Sequence, residues 1–117
     1  MTQRPKNDRI DPLILPVVTI LNENGYKTSA SCQGGEGHSW PLPGIHVIDT
    51  FTEKEYGEHH PRNVIRWIAR RLQDNNYYGF TIGWEAAFQN GIDEPAFRYF
   101  HIQFFDQETL TDEPQQG

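Results

Sequence analysis

The residues best suited to chemistry lie in one stretch, residues 25–38, where the single cysteine stands among glycines and hydroxyl side chains. Cys32 is followed by His38 six residues later. A thiol becomes a nucleophile when a base or a positive environment lowers its pKa, and a nearby histidine is the minimal requirement. Cys32 is therefore the candidate catalytic residue. The alternative is a small buried hydrophobic side chain at a strand end, which the absence of a family-specific nucleophile signature favours.

The segment that follows the cysteine is rich in glycine. Three of the five residues in 33–37 are glycines, and such loops can present backbone N–H groups to an anion. It is not a P-loop, because the sequence Gly-Lys-Ser/Thr is missing. A flexible connector is the equally weighted alternative. We predict a site for a small anionic or nucleotide-like ligand, formed by Thr28, Ser31, Cys32, Gln33, Gly34, Gly35, His38, His46, Tyr99 and His101.

Metal ligation is a further use to which cysteine and histidine could be put. The spacing from Cys32 to His38 matches no standard zinc pattern, and a second cysteine is missing. His46 and His101 could meet on adjacent strands, but polar residues on an open sheet face are the favoured interpretation. We therefore expect no metal site, and the sequence names no cofactor.

A second candidate patch consists of arginines. Arg62, Arg66 and Arg70 recur every four residues, which places them on one side of a predicted helix. Such a row can bind phosphate or an acidic partner. A solvated helix face, paired with some of the 16 acidic residues, is the alternative that base rates favour.

Composition limits the class of protein. A chain of 117 residues fits one domain that can bury a core without disulfides. The net charge of −6 argues against general nucleic-acid binding. One cysteine, no long apolar run and a polar start at residues 1–9 predict a cytoplasmic protein without a membrane span.

Hydrophobic periodicity predicts two helices and four strands that must position these residues. The first helix begins at Asp11-Pro12 or, because Pro16 removes a backbone hydrogen bond, near Leu15. A short helical turn is predicted at 52–55 and a turn at 89–95. The predicted elements are helix 11–24, strand 26–32, loop 33–44, strand 45–51, helix 61–75, strand 80–87 and strand 96–105.

The order α-β-β-α-β-β becomes the ferredoxin-like β-α-β-β-α-β when the last strand is moved to the front. We therefore predict a circularly permuted ferredoxin-like α+β sandwich, with two helices on one face of a four-stranded antiparallel sheet. Residues 1–9 form a flexible arm, 10–106 the single domain and 107–117 an acidic flexible tail. The open face would carry His46, Tyr99 and His101, and aromatic side chains there make a homodimer conceivable.

A sequence pattern around the cysteine resembles a known family. The pattern is Leu-Asn followed by Tyr-x-Thr-x-x-Ser-Cys-x-Gly, and its positions are Leu21, Asn22, Tyr26, Thr28, Ser31, Cys32 and Gly34. It resembles the N-terminal motif of the wybutosine-synthesis methyltransferases, which act on a modified guanosine in tRNA with S-adenosylmethionine. It also resembles small uncharacterised proteins, many from bacteriophages. The resemblance implies kinship of fold and places function at the loop after Cys32.

Three functions follow as hypotheses. The first is a small protein that binds a nucleotide-like or other anionic ligand; the resemblance implies a phage accessory protein that sequesters or blocks a host factor. The second is an enzyme, methyltransferase-like or thiol-dependent, that uses Cys32 and nearby histidines. The third is an acidic inhibitor of another protein whose surface mimics nucleic acid.

Overall fold

The computed structural model describes residues 10–50, 60–87 and 97–111. This part of the chain is α+β, with the predicted order of elements and one additional short helix near its end. The elements are α1 Leu15–Glu23, β1 Thr28–Cys32, β2 Gly44–Ile48, α2 Pro61–Asp74, β3 Phe80–Ala87, β4 Phe97–Phe104 and α3 Glu108–Thr111.

The four strands form one antiparallel sheet in the order β1-β2-β4-β3. The predicted four-stranded antiparallel sheet is therefore confirmed. β2 and β4 are central, and β1 and β3 are the outer strands of the described sheet. The glycine-rich loop joins β1 to β2, so it lies at the end of one central strand.

β4 sets which side chains face the core. Phe100, Ile102 and Phe104 are fully buried, whereas the alternate residues Tyr99 and His101 are only partly buried. Successive side chains of a strand point to opposite faces, so this alternation separates the core from the second face of the sheet. The polar residues of β4 therefore share a surface that the helices do not cover.

β2 follows the same rule beside it. Ile45 and Val47 are fully buried, and His46 between them is half-buried on the second face. In the antiparallel register, His46 lies directly opposite His101. Cross-strand partners approach closely enough for their side chains to interact.

α1 begins at Leu15, and Pro16 lies in its first turn. The first backbone N–H groups of a helix have no intrahelical partner, so a proline there removes no bond. The later of the two predicted starts is thus the observed one. Asp11 does not cap the helix with its side chain; its backbone carbonyl accepts from the N–H of Leu15, and its carboxylate is free to contact another segment.

α2 is amphipathic and carries the second half of the helical core. Val64, Ile68 and Leu72 recur at helical spacing and are fully buried. His60 caps its start, because its Nδ1 accepts a hydrogen bond from the backbone N–H of Arg62 at 3.1 Å. The helix ends at Asp74, one residue before the predicted end.

The last described residues, 107–111, belong to the predicted acidic tail and include a short helix. α3 spans Glu108–Thr111, and Leu110 packs against the core cluster. The predicted short helical turn at 52–55, the predicted turn at 89–95 and the arm 1–9 lie outside the described residues. No helix of the described chain has the length and apolar character that crossing a membrane requires.

We expect Leu72→Ala to lower the free energy of unfolding by about 2–5 kcal/mol, because it leaves a cavity between α2 and the sheet. Urea unfolding followed by circular dichroism measures the change. Gln73→Ala is the matched control, since Gln73 is exposed one position further along the helix, and it should change stability by less than about 0.5 kcal/mol. Equal losses in both variants would contradict the assignment of Leu72 to the core.

Candidate functional site

The predicted site residues lie in three places rather than one. The cysteine and the loop that follows it form a cluster at the end of β1. His46, Tyr99 and His101 lie together on the second face of the sheet. Thr28 and Ser31 line a groove between α1 and β1. The first two places adjoin, because the loop folds back over the sheet.

The loop cluster brings three different side chains together. One side-chain ligand atom each from Asp11, Cys32 and His38 lies within 4.8 Å of the other two. The carboxylate oxygen Oδ2 of Asp11 is 3.3 Å from Nδ1 of His38. The cysteine and the histidine therefore lie near each other, and Asp11 joins them from the turn before α1.

Gln33 holds the two segments of this cluster together. Its backbone N–H donates to Oδ2 of Asp11 at 3.0 Å, and its side-chain Oε1 accepts from the backbone N–H of Leu13 at 3.0 Å. Its Nε2 lies 3.5 Å from Nε2 of His38. One residue thus fixes the turn before α1 to the loop after β1 and also borders the imidazole.

The thiol of Cys32 lies at the base of the cluster. The residue is only 4% exposed, so the thiol is shielded by the loop above it. Its Sγ accepts from the backbone N–H of Gly34 at 3.4 Å, and it lies 4.0 Å from the carbonyl oxygen of Trp40. The sulfur therefore accepts from one backbone group of the loop and lies within donating distance of another.

The glycine-rich loop uses its backbone groups internally. The N–H of Gly34 bonds to Cys32, that of Gly35 to the carbonyl of Pro41, and that of His38 to the carbonyl of Gly35. These N–H groups are thus engaged within the loop. The predicted anion nest gains no donor from them.

Gly34 and Gly35 are required by shape. At Gly34, φ is +79° and an added Cβ would lie 2.6 Å from the backbone of Leu42. At Gly35, φ is +97° and the side chain of Gln107 stands where a Cβ would go. The side chain of Gln107 also donates to the carbonyls of Gln33 and Gly34 at 3.2 and 2.7 Å. The residue directly before α3 therefore holds the loop by two hydrogen bonds.

An aromatic cluster occupies the second face of the sheet. The ring of Trp40 packs on His46 and His101, with centroids 4.9 and 5.7 Å apart. His46 in turn lies 4.4 Å from the ring of Tyr99 and 4.7 Å from that of His101. Gly44 permits this arrangement, because a Cβ there would lie 3.1 Å from the indole ring. We call Trp40, His46, Tyr99 and His101 the ring cluster.

The charge state of the ring cluster follows from its surroundings. Burial, and then the neighbouring His101, hold the pKa of His46 below its ordinary value, whereas Glu85 raises it in part. The hydroxyl of Tyr99 donates to Oε1 of Glu85 at 2.6 Å, and this bond raises the pKa of the phenol. At neutral pH the cluster therefore presents a neutral imidazole beside a neutral phenol.

The predicted arginine patch lies apart from both sites. Arg62, Arg66 and Arg70 are exposed along α2, on the helical side of the sheet. The ring cluster occupies the opposite face. The structure therefore does not bring the arginines and the predicted ligand-binding residues together.

Two residues that matter to the site were missed from the sequence. Asp11 was interpreted only as a helix N-cap, although its side chain contacts residues more than 20 positions away. Trp40 was assigned only to a loop. A single aromatic residue inside a glycine- and proline-rich loop is a signal for a ring that packs back onto the fold, and it links the two sites here.

We expect Gly34→Ala to lower the free energy of unfolding by about 1–3 kcal/mol more than Gly25→Ala. Both glycines have positive φ, so both variants lose about 1 kcal/mol to backbone strain. At Gly25 an added Cβ meets nothing within 4 Å, so that variant measures the strain alone. Chemical denaturation gives both values, and similar losses would show that the loop can move aside.

We expect NMR titration to place the pKa of His46 below 6.5, the ordinary value. His101→Gln should raise it, and Glu85→Gln should lower it, because each removes a charge that acts on His46. His60→Gln, on a distant helix start, should leave it unchanged. Because the pKa of His46 is lowered in the folded protein, the unfolded chain binds a proton at His46 more tightly than the folded chain does. Acidification through about pH 6.5 should therefore lower stability less in His46→Gln than in the wild type. An unaltered pKa in His101→Gln would contradict the geometry.

Comparisons with known proteins identify no relative. No protein-family model, no curated protein and no solved structure matches this chain. The resemblance of the segment around Cys32 to the wybutosine-synthesis methyltransferases and to small phage proteins stays a prediction. Any functional conclusion for this chain therefore rests on the geometry of the loop cluster and of the ring cluster.

Proposed function

We propose that this protein binds a small nucleotide-like ligand through the ring of that ligand, on the second face of the sheet. The observation that carries the proposal is the ring cluster: four aromatic or imidazole rings with centroids 4.4–5.7 Å apart. Partly exposed flat rings on a sheet are a stacking surface for a planar ligand. The ligand-binding residues predicted on β2 and β4 belong to this cluster.

The chemistry of the ring cluster suits an uncharged heterocycle. Stacking of a base on an aromatic side chain contributes about 1–3 kcal/mol. A neutral His46 offers one donor and one acceptor nitrogen, which is the pairing that the edge of a nucleobase needs. Gln103 and Thr81 are exposed on the same face and add further polar groups.

The surroundings disfavour strong binding of phosphate at this place. Glu85 contacts the ring cluster, and the carboxylate of Asp11 lies in the adjoining loop cluster, so the nearby charged side chains are acidic. The N–H groups of Gly34 and Gly35 are already bonded. We therefore infer that the base, rather than the phosphates, provides recognition, which narrows the predicted small anionic ligand to the nucleoside part of a nucleotide.

We also infer the finer form of the fold, a circularly permuted ferredoxin-like sandwich. Placing β4 before α1 produces the order β-α-β-β-α-β. In that order the first and third strands are β4 and β2, and both are central in the sheet. This arrangement leaves one sheet face for helices and the other for a ligand.

For the cellular role, the proposal relies on the sequence resemblance. A phage accessory protein that sequesters such a ligand, or blocks a host factor, is the setting that the resemblance implies. Among the described residues, no contact favours the methyltransferase-like enzyme, the acidic inhibitor or a homodimer over ligand binding.

Titration with nucleosides and nucleotides, followed by NMR, tests the proposal. We expect a nucleoside to shift the ring signals of His46 and His101, and its triphosphate to bind no more tightly. Tyr99→Leu should weaken binding about tenfold or more, because it removes one stacking ring. Tyr78→Leu is the matched control, since Tyr78 is 57% exposed beside α2.

Two results would overturn the proposal. One is that none of the common nucleosides or nucleotides shifts the signals of His46 at millimolar concentration. The other is binding that does not depend on the ring cluster, seen either as unchanged affinity in Tyr99→Leu or as displacement of the ligand by inorganic phosphate alone. Displacement by phosphate would assign recognition to an anion site away from the ring cluster.

A further inference from the structure

We propose that Asp11, Cys32 and His38 form a binding site for a divalent transition cation of the zinc class. This inference does not depend on the ligand proposed for the ring cluster. The spacing of cysteine and histidine along the chain predicts no metal site. Asp11 supplies the third ligand atom, from a segment that spacing rules do not connect with the loop.

The distances between the three side chains suit such a cation. Cysteine, histidine and aspartate are all zinc ligands, with bonds of about 2.0–2.3 Å. In a tetrahedral site, neighbouring ligand atoms then lie about 3.3–3.8 Å apart. Asp11 and His38 are already 3.3 Å apart, and the whole set is within 4.8 Å. Side-chain movements of about 1 Å would complete the site.

The charges of the three groups favour a divalent ion. A thiolate from Cys32 and a carboxylate from Asp11 carry two negative charges, and a neutral imidazole adds none. A divalent cation makes the sum zero, which removes the cost of placing like charges together in a shielded position. A thiolate and an imidazole among the ligands select zinc, cobalt and similar ions over magnesium and calcium.

Hydrogen bonds already hold two of the three ligand side chains in position. Gln33 bonds to Asp11 through its backbone N–H, and the N–H of Gly34 bonds to the sulfur of Cys32. Hydrogen bonds to ligand side chains, as Asp11 and Cys32 receive here, orient metal ligands and commonly change affinity about 10–100-fold.

One side of the cluster is open to solvent. The side chains of Asp11 and His38 are 29% and 30% exposed, whereas Cys32 is buried beneath them. Three protein ligands with an open fourth position are typical of zinc sites that bind water or a further ligand. Trp40 links the buried side of this cluster to the ring cluster, since its carbonyl oxygen lies 4.0 Å from Sγ of Cys32 and its ring packs on His46.

The same geometry argues against a thiol relay. A cysteine nucleophile activated by histidine needs the thiol at one imidazole nitrogen and the carboxylate at the other. Here Nδ1 of His38 faces Asp11, and Nε2 faces the amide of Gln33. Nε2 of His38 therefore faces the amide of Gln33, whereas a catalytic relay would need the thiol of Cys32 at that nitrogen. Binding of a cation needs only one imidazole nitrogen.

Titration of the metal-free full chain with Co²⁺ tests the site. We expect one Co²⁺ per chain, with a thiolate-to-cobalt charge-transfer absorption in the near ultraviolet, and displacement by Zn²⁺. Affinity should rise with pH, because the thiol must lose its proton to bind. Zn²⁺ should also slow alkylation of Cys32 by iodoacetamide.

Cys32→Ser should abolish the charge-transfer absorption, and Asp11→Asn and His38→Gln should each weaken binding by at least about tenfold. His60→Gln and Asp74→Asn, at the start and the end of α2, are matched controls away from the cluster, and they should bind as the wild type does. Circular dichroism checks folding; His38→Gln, on an exposed loop, tests the site even if a variant of the buried cysteine unfolds.

Three outcomes would overturn the proposal. The first is absence of saturable binding at one equivalent of Co²⁺ or Zn²⁺. The second is a charge-transfer absorption that persists in Cys32→Ser. The third is alkylation of Cys32 at the same rate with and without Zn²⁺, which would indicate a free thiol and return Cys32 to a catalytic or packing role.

Discussion

The period of two in the central strands is the constraint on which both the core and the surface depend. In β4, Phe100 and Ile102 are buried under the helices, and Tyr99 and His101 must then face the other way. A shift of one residue in register would place the phenylalanines in water and the histidine in the core. The packing of α1 and α2 therefore fixes the position of the ring cluster without touching it.

The loop after β1 packs closely against itself and against the sheet at two glycines. Gly34 and Gly44 admit close approaches, the first to the backbone of Leu42 and the second to the ring of Trp40. Because the indole lies on the sheet while the carbonyl of the same residue lies beside the thiol, Trp40 contacts both the ring cluster and the loop cluster.

Local patterns were sufficient to predict much of the fold. β3 spans the predicted residues, α2 ends one residue early, and α1 begins at Leu15, one of its two predicted starts. These features depend on periodicity and on backbone chemistry within a few residues. The carboxylate of Asp11 and the ring of Trp40 depend instead on which loops meet in space. Local sequence patterns do not specify which loops contact each other. The glycine-rich loop could therefore be predicted as a candidate site, whereas its contacts with Asp11 and Trp40 could not.

Gln107 gives the loop a dependence on synthesis order. Its amide bonds to the carbonyls of Gln33 and Gly34, which precede it by 74 and 73 residues. β1 and β2 can pair as soon as both have left the ribosome, because a short connection joins them. The loop between them acquires its last contacts only when nearly the whole described chain has emerged. During synthesis, the loop would therefore lack these two hydrogen bonds until Gln107 has emerged.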